Sequence, residues 1–455
     1  MPNEVDFALL TDAQLLEIFT DSLATRPGFA REVWPRLGYT NLRDLLMSNK
    51  YWNIESKRQS ASNLSAANAV GGANKDFRIV GTAESTDWEA VRYIDLNYET
   101  ANSVQGFTAN FAPTANMTTP NVPTGSWTAF TWSGAGSVNR TNSAATAYPT
   151  AQVSDWMSSA NIKNVARDDG GTLPMWMVTQ HNPFGAGTYT YSFEGQGSTA
   201  FDTDILTSGR RYYKMFQSGV DGVGTPANFT QTAESNNCNP FILQFRTRGR
   251  VASLMVCGDS IAGGSLTTSN MLSPGFRCAI GLSSSNFPVQ YLGSCSASRL
   301  STSSLAEAKV MISNANPQIA AFEVFSPNDG AISASLVATQ LRQAIDFVQH
   351  CRANDCVPIL CTPTPDNTDT LASSNLKIGL TNSLLALRAK GVLICDWWNA
   401  VAAFPGNNAS TGWGWITGYY GDDKHPSDAG AAIMAGILQL QVRKVINANG
   451  ARVST

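Results

Sequence analysis

The sequence predicts an α/β protein: a doubly wound parallel sheet in its C-terminal half, preceded by a β-sandwich domain and a short helical N-terminal segment. Three observations predict this. After Arg250, apolar strand-like runs ("VASLMVCG", "PVQYLG", "IAAFEVF", "VPILCTPTP", "GVLICDWW") alternate with helical patterns. Such alternation places helices on both faces of a parallel sheet. Between residues 76 and 250, short β-prone runs are separated by Gly, Asn, Pro, Ser and Thr, as in a sandwich. Before residue 56 the apolar spacing is helical.

The elements follow in order. In residues 1–55, Thr11 and Gln14 fit a capping box, and Leu15, Leu16, Ile18, Phe19 and Leu23 follow at helical spacing. Pro27 ends that pattern, and a second short helix is expected near "NLRDLLMSNKYW". These helices are too short to stand alone and need a partner surface, in this chain or in another subunit. Residues 56–75, small and polar, read as a linker. Residues 76–250 carry the sandwich runs "FRIVGTAES", "AVRYIDLNYE", "SWTAFTWSG", "PMWMVTQ", "TYTYSFEG" and "FILQFRTRG". Residues 251–455 form the α/β domain. Its helices are expected at "SLAEAKVMI", "ASLVATQLRQAIDFVQHCR", "NLKIGLTNSLLALRAK" and "SDAGAAIMAGILQLQVRKVI".

Composition narrows the function. Of 455 residues, 43% are hydrophobic and only 14% charged, so the surface leans on Ser, Thr, Asn and Gly. With 31 basic and 34 acidic residues and no basic block, nucleic acid is not an expected partner. No basic region precedes an unbroken apolar stretch at the N-terminus, so no Sec signal peptide is expected. Without a run of eighteen apolar residues, no membrane insertion is expected. Low charge suits an extracellular or virion-associated setting, reached by another route or after a signal has been removed. The N-terminal segment would then serve homo-oligomer or virion assembly. The eight cysteines show no C-x-x-C spacing and no cysteine–histidine cluster, so no metal site is expected. Cys257, Cys361 and Cys395 read as small buried hydrophobes. Cys278 and Cys295 are candidates for a pair.

The stretch "MVCGDSIAGGS", Met255 to Ser265, carries the chemistry. It places Ser260 at the carboxyl end of the first predicted strand, where open α/β sheets hold their ligands. A serine hydroxyl needs a general base within reach. The chain has three histidines. His181, in "VTQHNPF", reads as a loop residue, and His350, in "AIDFVQHCR", as a solvated or helix-end residue. His425, in "GDDKHPSDAG", comes from a loop directly before the last helix. Asp422, three residues earlier, can accept from one imidazole nitrogen while the other faces the serine. Asn328, in "FEVFSPNDG", stands at the end of the third predicted strand, where its amide could donate to a developing oxyanion.

GDS after the first strand, NDG after the third and D-x-x-H-P before the last helix resemble the SGNH, or GDSL-type, hydrolase family over about Val251 to Asn449. The resemblance implies a flavodoxin-like sheet and a serine ester hydrolase that needs no cofactor. It makes Ser260 the nucleophile and the first oxyanion donor through its backbone amide. Asn328 becomes the oxyanion asparagine, and Asp422 with His425 the acid–base pair. The second block departs from the family. In "VQYLGSCSASR" the alignment puts Ser296 where the family has an oxyanion-hole glycine and Tyr291 where it has asparagine; Gly293 is the nearest glycine. Ile261 replaces the leucine of the GDSL form.

Before the catalytic loop, "DWWNAVAAFPGNNASTGWGWITGYYGDDKH" crowds aromatics near the expected site. Trp413, Trp415 and Tyr420 are the candidates for stacking on sugar rings, whereas the strand-end tryptophans Trp397 and Trp398 suit the core. With no aliphatic lid evident, the expected substrate is an acylated, O-acetylated glycan. The alternatives are a lipid or short-chain ester hydrolase, and a degenerate hydrolase domain serving as a glycan-binding structural protein.

Overall fold

The computed structural model describes residues 49–55, 67–70, 75–82, 88–97, 104–114, 127–140, 150–158, 166, 175–182, 187–190, 192–194, 213–218, 230–231, 236–238, 241–268, 272–283, 289–295, 300–406 and 412–447. The expected helices before residue 49 lie outside these. The strands used below are β1 (Asn49–Glu55), β2 (Lys75–Thr82), β3 (Trp88–Asn97), β4 (Val104–Thr114), β5 (Thr150–Val153), β6 (Met175–Asn182), β7 (Tyr213–Ser218) and β8 (Phe241–Gly258). The C-terminal part adds β9 (Val289–Cys295), β10 (Ile319–Glu323), β11 (Val357–Cys361) and β12 (Leu393–Cys395). Its helices are α1 (Pro274–Leu282), α2 (Ser301–Ala315), α3 (Ala334–Ala353), α4 (Leu371–Ala386), α5 (Trp397–Val401) and α6 (Asp428–Asn447).

Three expectations need correction here. Residues 49–55, expected to be helical, form β1 and pair antiparallel with β8, from Asn49↔Val251 to Glu55↔Ile242. A half-apolar, aromatic segment beside an open strand edge gains a ladder of backbone hydrogen bonds that one short helix cannot match. The expected linker 56–75 contains a strand, Ala67–Val70, paired with Gly187–Thr190, and β2 starts at Lys75. Small polar residues do not prevent pairing when a partner backbone is offered. His181, expected in a loop, lies in β6 between β2 and β4.

In the front region β7, β2, β6 and β4 lie side by side in one antiparallel sheet. β3 and the first half of β8 belong to another. Rings from the two sheets meet. Tyr93 lies 6.0 Å from Phe107 and Phe111 lies 6.2 Å from Phe245, centre to centre, at distances where aromatic pairs attract. Gln180 Nε2 donates to Tyr93 Oη at 2.6 Å. Arg140 and Asp95, both fully buried, form an ion pair at 2.8 Å. Burial pushes the Asp95 carboxyl up, and Arg140 opposes that push. Removing either partner would leave a buried charge uncompensated.

β8 is 18 residues long and changes partners along its length. Phe241–Thr247 pairs antiparallel with β3. Ala252–Gly258 pairs parallel with β9, and within it Leu254–Cys257 pairs with β10 on the other side. The parallel part of the sheet therefore runs β9-β8-β10-β11-β12, the order 2-1-3-4-5 of flavodoxin-like sheets. The expected boundary at residue 250/251 falls inside this strand.

Alternation along the strands explains the two helical layers, since successive side chains point to opposite faces. Met255, Cys257, Ala320, Phe322, Leu360 and Ile394 pack toward α2, α3 and α4. Leu254, Val256, Ile319, Ala321, Ile359 and Cys395 pack toward α1, α5 and α6. A sheet covered on both faces needs strands that are apolar throughout, which is why these runs were recognisable. The segment Asp428–Ile446 of α6 is long and apolar enough to cross a membrane, with a mean hydropathy of 1.2. Here its Met434, Leu438, Val442, Val445 and Ile446 are buried against the sheet. Cys278 and Cys295, the candidate pair, are not joined by a disulfide, and both are buried. They lie on α1 and β9, each among apolar neighbours.

Candidate active site

Ser260 lies two residues beyond the end of β8, at the carboxyl edge of the sheet. A tight turn carries it: Gly263 N–H donates to Asp259 O at 3.0 Å, and Ser265 N–H donates to Ser260 O at 2.8 Å. Small residues permit the turn. At Gly264 the backbone has φ +74°, and a side chain there would press on Ser273.

His425 sits in the loop before α6. Gly421 N–H donates to His425 O at 2.8 Å, and Ser427 N–H donates to Tyr419 O at 3.0 Å, closing the loop on itself. The Ser260 hydroxyl lies 2.9 Å from His425 Nε2. His425 Nδ1 lies 2.9 Å from Asp422 Oδ2 and 3.0 Å from Oδ1. An ionised carboxylate only accepts hydrogen bonds, so Nδ1 carries the proton and Nε2 is left to accept from Ser260. Asp422 also accepts the backbone N–H groups of Lys424 and His425, at 2.8 and 2.7 Å. Burial pushes the Asp422 carboxyl up. The bonds from the His425 ring and from the two backbone N–H groups outweigh it and hold the carboxyl below its usual range.

Two clamps fix the loop that bears His425. Thr268, eight residues after the serine, donates its N–H and hydroxyl to the Asp428 carboxylate at 2.9 and 2.8 Å. Asn367, after β11, donates its N–H to Asp423 O at 2.9 Å and accepts Trp415 N–H at 3.1 Å. Nucleophile turn, aromatic segment and histidine loop are thus tied together by hydrogen bonds.

Asn328 lies in a single turn, Pro327–Asp329, capped by Ser326. Its Nδ2 donates to Asp259 Oδ2 at 3.1 Å and to Ser326 Oγ at 3.0 Å. The amide is therefore anchored to the residue before the nucleophile, and an oxyanion would have to take one of these hydrogens. Ser296 lies outside the described residues. Gly293 lies inside β9, opposite Val256.

The aromatic candidates divide. Trp415 is 0% exposed, packed with Trp397, Val401 and α6, and cannot stack on a ligand. Its large apolar surface is worth more inside the core than at the loop surface. Trp413 is half-buried, its ring 6.1 Å from that of Trp398 and 5.2 Å from that of Phe404. Phe404, not singled out from the sequence, is 64% exposed. Tyr420 is half-buried against the core beneath α6. Trp397 and Trp398 are buried, as expected of strand-end residues.

Sequence reasoning also passed over Glu323, at the end of β10. Asp259 N–H donates to its Oε2 at 3.0 Å, and both side chains are buried. The available signal was a glutamate inside the otherwise apolar run "IAAFEVF".

The strand order, with Ser260 after the first strand, Asn328 after the third and the Asp422–His425 loop before the last helix, is the order in which the sequence motifs were expected. No protein-family model matches the chain, and no curated protein matches it. Solved structures do align. One is a member of the lipolytic protein G-D-S-L family from Veillonella parvula, at 12% identity over 42% of this chain and 99% of the other, TM-score 0.35. Another is a point mutant of an acetyl-xylooligosaccharide esterase from Geobacillus, at 14% identity over 42% and 94%, TM-score 0.34. A third is a family 3 carbohydrate esterase from Clostridium thermocellum, at 10% identity over 44% and 98%, TM-score 0.33.

Proposed function

We propose that this chain is a serine ester hydrolase that removes acyl groups, chiefly O-acetyl, from carbohydrate. The observation that carries the reaction is the continuous line from Asp422 through His425 to the Ser260 hydroxyl, each contact within 3.0 Å. Ser260 Oγ attacks the ester carbonyl carbon while His425 Nε2 takes its proton, and Asp422 stabilises the imidazolium. The tetrahedral oxyanion takes hydrogen bonds from the Ser260 backbone amide and from Asn328. Collapse breaks the bond to the alcohol, which leaves with the proton from His425. Water, activated by the same ring, then hydrolyses the acyl-enzyme and restores the serine.

The carbohydrate reading is supported by the Phe404–Trp413 pair, an exposed aromatic edge on a segment tied through Trp415 and Asn367 to the histidine loop. Flat apolar rings beside polar loops suit sugar faces. The front region, read as a β-sandwich on the ring contacts between its sheets, would position the glycan. A virion setting rests on composition alone.

A lipid or short-chain ester is the second reading, and Leu266 favours it. This residue is 56% exposed in a left-handed conformation with φ 65°, and its Cβ lies 3.1 Å from where a side chain at Gly421 would begin. An apolar side chain held out beside the histidine loop could receive an acyl chain. The test is hydrolysis by the wild type and by Ser260→Ala. Substrates are chromogenic acetyl, butyryl and octanoyl esters and acetylated polysaccharide. Hydrolysis that falls steeply with acyl length, together with acetate release from the polysaccharide, supports the glycan reading; a rate that rises with length overturns it in favour of lipid.

A further inference from the structure

Beneath the nucleophile lie two buried carboxyl groups that the reaction does not use. Asp259 directly precedes Ser260, and Glu323 closes β10. Glu323 Oε2 accepts Asp259 N–H at 3.0 Å. The Asp259 carboxylate is the hub of the local network. Its Oδ1 accepts Ile261 N–H at 2.7 Å, and its Oδ2 accepts the Ser326 hydroxyl and Asn328 Nδ2. Both side chains are buried, and each carboxyl acts electrostatically on the other. Gly258 completes the arrangement, because a Cβ there would run into Glu323 Oε2.

Two ionised carboxylates side by side in a buried site repel each other, so the pair favours holding one proton. That proton belongs on Glu323. Burial pushes its carboxyl well above the usual range, and the neighbouring Asp259 charge pushes it further. Burial also raises Asp259, but the bonds from Ser326, Ile261 and Glu323 favour its ionised form. The other titratable groups acting on the pair are His425, which favours the charge on Asp259, and the Cys361 thiol, which disfavours the charge on Glu323.

We propose that Glu323 is a positioning residue: as a neutral acid it holds the Asp259 carboxylate in the place from which Asn328 and the Ser260 turn are aimed. The inference rests on the ester-hydrolase reading. Its chemistry is distinct from the proton relay, since Glu323 touches neither His425 nor substrate and moves no proton in the reaction. Loss of its proton puts two negative charges side by side in a buried site, which disperses the hub and with it the oxyanion donor. Activity and stability should therefore both fall as pH rises. The sign follows from the raised pKa: stability is complete below the ordinary glutamate value and is lost as pH climbs through the folded one.

The experiment compares wild type, Glu323→Gln and Glu323→Ala by kcat and KM on a small acetyl ester across the alkaline range. Urea unfolding midpoints are measured at each pH. Glutamine keeps one donor toward Asp259 and one acceptor for its N–H without a titratable proton. Glu323→Gln should hold kcat within about threefold of wild type at neutral pH, and the alkaline falls in kcat and urea midpoint should flatten. Glu323→Ala should lose kcat by about a hundredfold with KM nearly unchanged, the mark of misplaced groups rather than lost binding. If Glu323→Gln follows the wild-type alkaline limb, or is as damaged as Glu323→Ala, the proposal is overturned. Should the alanine variant fail to fold, the alkaline limb of Glu323→Gln against that of the wild type still decides between these outcomes. A wild type inert toward every ester and toward serine-directed phosphonates overturns the ester-hydrolase reading, and this proposal with it.

Discussion

The Ser260 hydroxyl lies 2.9 Å from His425 Nε2, although 165 residues separate them in sequence. The contact is made by two loops at one edge of the sheet, and the Thr268–Asp428 bonds keep those loops together. In the proposed reaction, proton transfer to and from Ser260 would run through this pair.

Ser260→Ala should fold as the wild type does and lose esterase turnover by at least about a thousandfold, since no other group supplies the attacking oxygen. A phosphonate should label the wild type at Ser260. Turnover retained by the folded mutant would remove Ser260 from the mechanism.

His425→Ala should be about as damaging as the serine change. Asp422→Asn should keep roughly ten- to a hundredfold more activity than Ser260→Ala, because the ring remains in place but loses its orienting charge. The Asp422–His425 double mutant should be little worse than His425→Ala. Asp422 should stay ionised well into acid, so loss of its charge should not limit activity until below pH 3.8, its ordinary value. Steady-state rates across the series test this; a larger loss from Asp423→Asn would move the acid to the neighbouring residue.

Phe404→Ala and Trp413→Ala should raise the apparent KM for acetylated oligosaccharide and leave hydrolysis of a small acetyl ester nearly unchanged. A stacking contact remote from the carbonyl holds ground and transition states about equally. Equal losses on both substrates would show that these rings support the fold instead.

Gly258→Ala should destabilise the protein by about 1–3 kcal/mol, the usual cost of overpacking, because its Cβ would meet Glu323 and Ala262. A urea titration measures it, and a variant of wild-type stability would contradict the close packing around the carboxyl pair.

Burial pushes the thiols of Cys278, Cys356 and Cys361 well above their usual range. In the native protein they should resist alkylation at neutral pH and react only on unfolding, since the thiolate is the reactive form. Mass spectrometry after iodoacetamide treatment, with and without urea, distinguishes the two states.

The α/β part was legible because a sheet buried on both faces must be written in unbroken apolar runs; Ser260 and Asn328 stand just past the ends of two of them, and Asp422 and His425 directly before the last helix. The front region was harder. "FILQFRTRG" and "VASLMVCG" read as separate strands because Arg-Gly-Arg resembles a break, yet β8 continues by exchanging antiparallel neighbours for parallel ones. Strand β1 was missed because pairing is decided by a distant edge, not by local spacing. Trp415 could not be told from Trp413 by composition, since one faces the core and the other its rim, and only packing separates them. Glu323 was visible as a charge within an apolar run, but its partner became clear only once β8 and β10 lay side by side.

β8 carries the chain from the front sheets toward the serine as one strand, with its pairing to β1 shifting register between Arg246 and Val251. At about 3.3 Å per residue, its eighteen residues reach at most roughly 60 Å. If the front region holds a polymer, the reach from that grip to Ser260 would be set by a strand of the sheet itself. Selectivity could then extend to where along a polymer an ester stands, as well as to which ester it is.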